Sequence, residues 1–534
     1  MTIRPSSQQL VFVTGLFIVA TGNLAFFRNV LDAFTGQPYV WLHVVSLGAL
    51  QLALFVTVVS PFAVGRATRP VLALLLLLGS AMAYFMDTYN VIIDSDMVGN
   101  AMTTDSAEST DLLTLRLALY VMLLGVLPAA LVATVPLARQ TPARAIRQRA
   151  FWIGGALLAA ASIILLSSSF YASFFREHKP LRYYTNPLGP IYGAIRYATK
   201  HVSDAPATLK PVGTDANIAD SDIDRELVVM VVGETARADH FSLNGYSRET
   251  NPRLADEAVV SFSRMSSCGT STAVSVPCMF AVYDRSSFDN DKANATENVL
   301  DVLARAGVHV LWRDNSTGSK GVANRVDLEN FHTPEHNTVC DGECRDTGML
   351  VGLQDYVDRH PEGDILIVLH QMGSHGPAYF KRYPDSFRQF SPTCDTSQLD
   401  NCDEEAIRNT YDNTILYTDH FLAETIAFLR ANDDHFETAM FYVSDHGESL
   451  GEGGLYLHGL PYFMAPKEQT HVASVMWLGR NFTGVTSRAV SGLRDNPLSH
   501  DDVFHTLLGF FEVTSAAYNP ERDILNLARR QDGG

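Results

Sequence analysis

ELVVMVVGE, residues 226–234, is a continuous apolar run with a glutamate at each end. A run this short and this apolar reads as a buried strand of a sheet covered on both faces. Four similar runs follow: VHVLWRDN (308–315), DILIVLHQMG (364–373), TAMFYVSDHGE (438–448) and ASVMWLG (473–479). Helical patterns at 294–306, 347–359, 404–431 and 501–511 separate or flank them. The alternation predicts an α/β domain over 226–534, built on a mainly parallel sheet between helices.

In such sheets ligands bind beyond the carboxyl ends of the strands. Those ends carry metal-ligand residue types: Glu234 after the first strand, His370 and His375 with the third, Asp445 and His446 after the fourth. A single Asp or His there is more often a helix cap or a satisfied core group. Three converging ends make a mixed oxygen and nitrogen site, which suits zinc, with manganese the alternative.

CGTSTAVSVPC, residues 268–278, sets four hydroxyl side chains (Thr270, Ser271, Thr272 and Ser275) between two cysteines. A Ser or Thr hydroxyl is a weak nucleophile at neutral pH and becomes a useful one when a metal lowers its pKa. Pro277 is expected in the first turn of a following helix, whose N-terminal dipoles would face an anionic substrate. The six cysteines fall into three local couples: Cys268 with Cys278, Cys340 with Cys344, and Cys394 with Cys402. Local pairing is the economical reading, and an oxidised couple has no thiolate to offer a metal.

The first third is membrane-like. Apolar runs near the roughly 20 residues that cross a bilayer recur at 9–27, 40–62, 70–86, 112–135 and 151–171. The first alone would fit a cleaved signal peptide, but four further runs favour an uncleaved anchor. Arg66 and Arg69, and then Arg139, Arg144, Arg147 and Arg149, place two short loops on the cytoplasmic side. The loop 87–111 has acids and no Lys or Arg, so it is expected on the opposite face. Five spans with the N-terminus inside export everything after about 172. Every cysteine lies in that part, as an oxidising compartment allows. The expected layout is a membrane domain over 1–172, a linker with short helices over 173–225 and the α/β domain over 226–534. A net charge of −18 speaks against nucleic-acid binding. It also requires local positive charge for any anionic substrate, with zinc, Lys320 and Arg313 as candidates.

The segments VVGETARADHFSLNGYSRETNP (231–252), SSCGTSTAVSVPCMF (266–280), LWRDNSTGSKG (311–321), LHQMGSHGPAYFKRYP (369–384) and YVSDHGESLGEGGLYLHG (442–459) resemble one family. It is that of the lipid A phosphoethanolamine transferases, which includes the mobile colistin-resistance enzymes. The resemblance spans nearly the whole chain. It implies five spans in the bacterial inner membrane and a periplasmic domain that is alkaline-phosphatase-like, in the sulfatase superfamily. It makes Thr272 both nucleophile and zinc ligand, with Glu234, Asp445 and His446 completing the ligand set. It gives His375 and His458 contact with the phosphate group or a second zinc, and Lys320 contact with phosphate.

The implied reaction moves phosphoethanolamine from phosphatidylethanolamine to Thr272 and then to a phosphate of lipid A. That lowers surface negative charge and gives polymyxin resistance. A monomer among membrane lipids is expected. The family's middle disulfide usually encloses more residues than the three between Cys340 and Cys344. A sulfatase proper would carry C/S-x-P-x-R, which the 268–278 stretch lacks. The other readings are a phosphoglycerol or other phospho-group transferase of the same superfamily, and a membrane metal or lipid sensor without turnover.

Overall fold

The computed structural model describes residues 4–35, 39–103, 112–202, 209–219 and 224–532. Within them the chain forms two compact units, one of residues in 4–102 and 112–202 and the other chiefly of 209–532.

The first unit is helical. Helices α1 (Ser7–Thr21) and α2 (Leu24–Ala33) are followed by α3 (Val40–Val59), α4 (Thr68–Tyr89), a helix over Leu115–Thr134 and one over Pro142–Leu166. Among the described residues, four helices are long and apolar enough to cross a membrane, and the bent pair α1 and α2 makes up to five. The run expected as one span at 9–27 is therefore broken, with a bend of 55°. Its cause is polar. At the break, the Asn23 amide donates to the carbonyls of Ile18 (3.1 Å) and Asn186 (2.9 Å). Asn186 in turn donates to the carbonyls of Gly22 and Gly79, at 2.8 Å each. Asp87 accepts the Ala25 N–H. A broken helix is tolerated at membrane depth when neighbouring helices satisfy the freed backbone groups in this way.

The stretch expected as a linker at 173–225 is folded where it is described. Leu188–Val202 is a helix of the first unit, whereas residues 209–219 lie on the second. There Val212 is buried in the core, its N–H donates to Glu297 and its carbonyl accepts from Arg305. Parts of that linker (203–208 and 220–223), and residues 104–111 of the polar loop, fall outside the described residues.

The second unit is built on seven strands: β1 (Glu226–Gly233), β2 (Val260–Ser261), β3 (His309–Asp314), β4 (Asp327–Asn330), β5 (Ile365–His370), β6 (Glu437–Ser444) and β7 (Ser474–Leu478). Their order is β2-β7-β6-β1-β5-β3-β4. From β6 to β4 neighbours are parallel, and at the other edge β7 is antiparallel to both β6 and β2. The five apolar runs are thus strands, and the sheet is mainly parallel.

Both faces are covered, which is why the runs are continuously apolar. Val228, Met230 and Val232 face a core shared with helices over Thr272–Phe280, Val299–Ala306 and Val503–Phe510. Leu227, Val229 and Val231 face the opposite core, against Leu353–Arg359 and the long helix Glu404–Asn432. All three expected cysteine couples are disulfides.

Candidate active site

Parallel pairing of β1 with β6 sets Gly233 opposite Ser444, so the next residues of both strands leave the sheet side by side. Those residues are Glu234 and Asp445. The Asp445 N–H donates to the Gly233 carbonyl at 2.9 Å. Thr235 turns the chain at once, with φ of 59°. Such a left-handed value in a β-branched residue is a costly conformation. Its N–H donates to Asp445 Oδ1 (3.1 Å) and its hydroxyl to Glu234 Oε1 (2.9 Å), so the strained turn orients both carboxylates.

Thr272 arrives from the other side, as the first residue of the helix Thr272–Phe280. The helix starts earlier than Pro277 led us to expect. The proline lies inside it, and the hydroxyl cluster itself forms the N-terminal turn. Thr272 Oγ1 donates to Glu234 Oε2 at 3.1 Å and lies 3.4 Å from His446 Nε2. His446 Nε2 is also 3.2 Å from Glu234 Oε1 and 3.4 Å from Asp445 Oδ2. Its Nδ1–H donates to the Gly447 carbonyl, which turns Nε2 toward the carboxylates. Gly447 has no room for a side chain, since a Cβ would stand 2.1 Å from the Glu468 carbonyl oxygen.

The cluster is buried and rich in negative charge. Glu234, Asp445 and His446 are at most 1% exposed, and their ligand atoms lie within 4.8 Å of one another. Burial and the Glu234 carboxylate push Asp445 up to about 6. Burial opposes the charge of Glu234 as well, but the hydrogen bond and charge of His446 hold that group well below the usual range. Burial would push His446 down, yet Asp445 and Glu234 carry it up to about 10. Among the described residues, nothing donates a hydrogen bond to the buried Asp445 Oδ2. Two carboxylates, one imidazole and an unsatisfied buried oxygen are a donor set that fits a divalent cation.

His458 packs beside this cluster, its ring 4.2 Å from that of His446 and 5.5 Å from that of His375. Its Nδ1 is 3.3 Å from the buried Glu448 carboxylate. The Gly459 N–H donates to the Thr270 carbonyl, and the Thr270 hydroxyl donates to the Leu460 carbonyl. Thr270 thus stitches loops together while Thr272 faces the carboxylates.

Three other expected residues sit differently. Lys320 has φ of 51°, donates to the Thr317 carbonyl and lines a cavity of about 320 Å³ with Pro277, Tyr283 and Asn298. Arg313 is not a source of charge for the site. Its guanidinium is committed at the β4 edge to Glu329 and to the carbonyls of Met349 and Val351. His370 pairs with Asp314 at 2.9 Å, and Trp312 donates to the same carboxylate. The sequence reading missed Ser444, Glu448 and His500. Glu448 stands in the DHGES run that already held two candidates, whereas Ser444 and His500 carry no local signal.

The second unit is sulfatase-like, since the family model described as Sulfatase matches residues 226–513. The rest of the chain narrows the class, because the model described as Phosphoethanolamine transferase EptA/EptB matches residues 51–202. Phosphatidylethanolamine transferase Mcr-1 of Escherichia coli is 43% identical over 522 residues, covering 95% of each chain. Phosphoethanolamine transferase EptA of Salmonella typhimurium is 38% identical over 552 residues, covering 99% of this chain and 98% of its own. The solved integral membrane lipooligosaccharide phosphoethanolamine transferase A of Neisseria meningitidis superposes with a TM-score of 0.92 at 35% identity, covering 98% of this chain and 99% of its own. The chain belongs to the phosphoethanolamine transferases, as its motifs implied, and is a multi-pass membrane enzyme.

Proposed function

We propose that the protein moves phosphoethanolamine from phosphatidylethanolamine to a phosphate of lipid A by way of Thr272. The observation that carries this reading is the Thr272 hydroxyl seated on Glu234 within hydrogen-bond reach, at the end of a helix and inside a buried cluster. The donor follows the name of the Escherichia coli relative, the Neisseria enzyme is named for lipooligosaccharide, and the lipid A phosphate follows from the motif resemblance.

Glu234, Asp445, His446 and Thr272 would hold one zinc ion, and His375 with His458 would hold a second. Bound there, zinc supplies positive charge that favours the ionised hydroxyl. The chain's own residues do the rest. Glu234 Oε2 accepts the Thr272 hydroxyl hydrogen and so aims the oxygen lone pair outward at phosphorus. As the new oxygen–phosphorus bond forms, the bond to diacylglycerol breaks. The leaving oxygen takes a proton, for which His458, packed on His446, and His375, packed on His458, are the donors. In the second half a lipid A phosphate oxygen attacks the same phosphorus, and Thr272 leaves and takes back the proton that Glu234 Oε2 received in the first. The first-turn N–H groups of Thr272–Phe280 and the Lys320 ammonium would offset the phosphate charge.

The same reading puts the helical unit in the inner membrane and the disulfide-bonded unit in the periplasm, as a monomer. Arg66 and Arg69, with the arginines of 139–149, support that orientation. Mass spectrometry of lipid A from cells with and without the protein tests the proposal. One added phosphoethanolamine together with raised polymyxin resistance is expected, and unmodified lipid A would refute it.

A further inference from the structure

His500 lies outside every motif that carried the functional reading, and it is 1% exposed. It opens the turn His500–Asp502, ahead of the helix Val503–Phe510. Its backbone is fixed by its neighbours. Leu498 and Ser499 pair with Met265 and Ser266, and the Ser499 N–H donates to Asp502. Its ring therefore stands beside the start of the 268–278 loop.

Both ring nitrogens are used. The Cys268 N–H donates to Nδ1 at 3.1 Å, and Nε2 lies 2.9 Å from the Ser444 carbonyl oxygen. A backbone N–H only donates and a carbonyl only accepts, so the ring is neutral, with its hydrogen on Nε2. Burial, which pushes its pKa down to about 3, agrees.

Each end of this bridge is a junction. Cys268 is joined by its disulfide to Cys278, in the helix that begins at Thr272. Ser444 precedes Asp445, its hydroxyl accepts the Ala236 N–H at 2.7 Å, and the same hydroxyl donates to the His446 carbonyl. Beside the direct hydrogen bond from Thr272 to Glu234, a second path from the Thr272 helix to the segments bearing Glu234, Asp445 and His446 thus runs through this imidazole, which has no internal rotation.

We propose that His500 is a positioning residue, a rigid neutral strut that sets the distance between the Thr272 helix and the strand end carrying Asp445 and His446. This rests on the reading of Thr272 as the residue that receives phosphoethanolamine. Losing the strut leaves Glu234, Asp445 and His446 in place but loosens the Thr272 hydroxyl. Misplacing a reacting atom by about 1 Å costs on the order of 100-fold in rate.

The test measures kcat and KM of the full-length protein with phosphatidylethanolamine vesicles, together with zinc content. His500→Leu removes both bonds and is expected to lower kcat by about 10- to 100-fold, with KM and zinc content unchanged. His500→Gln supplies an acceptor and a donor at similar reach and is expected to recover most of the loss. Unchanged kcat in His500→Leu, or equal loss in a folded His500→Gln, would overturn the proposal. Should His500→Leu fail to fold, His500→Asn takes its place. Its amide matches the Nδ1 position and falls short of Ser444, so it should rank below His500→Gln, and the reverse ranking would overturn the proposal. Thr272→Ala run alongside separates the two ideas. Turnover there refutes the Thr272 reading and the strut with it, whereas loss there with an unimpaired His500→Leu refutes the strut alone.

Discussion

Lowering the pH from about 7.5 to about 5 is expected to cost the protein about 2 kcal/mol of stability through His500 alone. The native ring stays neutral, with its pKa pushed down to about 3 by burial. An unfolded histidine titrates near 6.5. Below that value the unfolded chain binds a proton that the native chain does not, so stability falls as the pH drops from about 6.5 toward about 3. One pH unit in this window is worth about 1.4 kcal/mol, and about 1.5 units are crossed by pH 5. His505, pushed down to about 4 chiefly by burial, adds a similar loss.

Raised carboxyls act in the opposite direction, Asp419 and Asp523 among them. Burial raises Asp419 and Asp523 to about 6 each, so on acidification the native chain takes up protons before the unfolded chain does. Each gives back about 1.4 kcal/mol by pH 5. The whole-protein curve therefore sums opposing contributions and does not report on His500 by itself. The difference between wild type and His500→Gln isolates the histidine. For a domain of roughly 320 residues the unfolding entropy is about 0.7 kcal/mol/K. The acid-induced change in Tm of the full-length protein in detergent should then differ between the two by about 3 °C. The same change in both would show that His500 is protonated in the folded protein, or not buried at all, and the strut geometry would be wrong.

Other outcomes follow from the same contacts. Asp445→Asn should lose tight zinc as well as activity, because it removes a buried charge from the donor set. Elemental analysis checks this, and full zinc content would remove Asp445 from the ligands. Replacing Cys268 and Cys278 by Ser opens a loop of sequence separation 10, whereas the pair 340 and 344 has a separation of 4. Loop-closure entropy then predicts losses of about 3 and about 2 kcal/mol, so thermal melts should rank the first pair as the costlier. A catalytic fragment that starts at residue 209 should be more stable than one that starts at 226, by roughly 2 kcal/mol from burial of Val212 and its two backbone hydrogen bonds. Equal urea midpoints for the two would refute that role for residues 209–219.

The central strands were legible because burial on both faces leaves an unbroken apolar run, as in β1. β2 and β4 were not. One has two residues, and the other, DLEN, is a largely exposed edge with no apolar pattern. The break in the first membrane helix escaped notice because hydropathy sees Asn23 as one polar residue in a long run. Its partners Asn186 and Asp87 lie far along the chain. Glu234, Asp445 and His446 stood out because parallel register aligns strand ends. Strand type alone does not say toward which side a residue such as Arg313 commits its hydrogen bonds, and Glu329 settled that. A single histidine such as His500, in LSHDDVF, has no spacing to mark it. Its role comes from two backbone groups, at Cys268 and Ser444, that are distant in sequence.

The most direct measurement locates the transferred group on the enzyme. Full-length protein incubated with phosphatidylethanolamine vesicles without acceptor, then digested and sequenced by mass spectrometry, should carry one phosphoethanolamine on Thr272. The adduct should be discharged when lipid A is added and absent from Thr272→Ala, while Thr270→Ala still forms it. An adduct on Thr270, Ser271 or Ser275, or transfer to lipid A by Thr272→Ala, would contradict the role of Thr272.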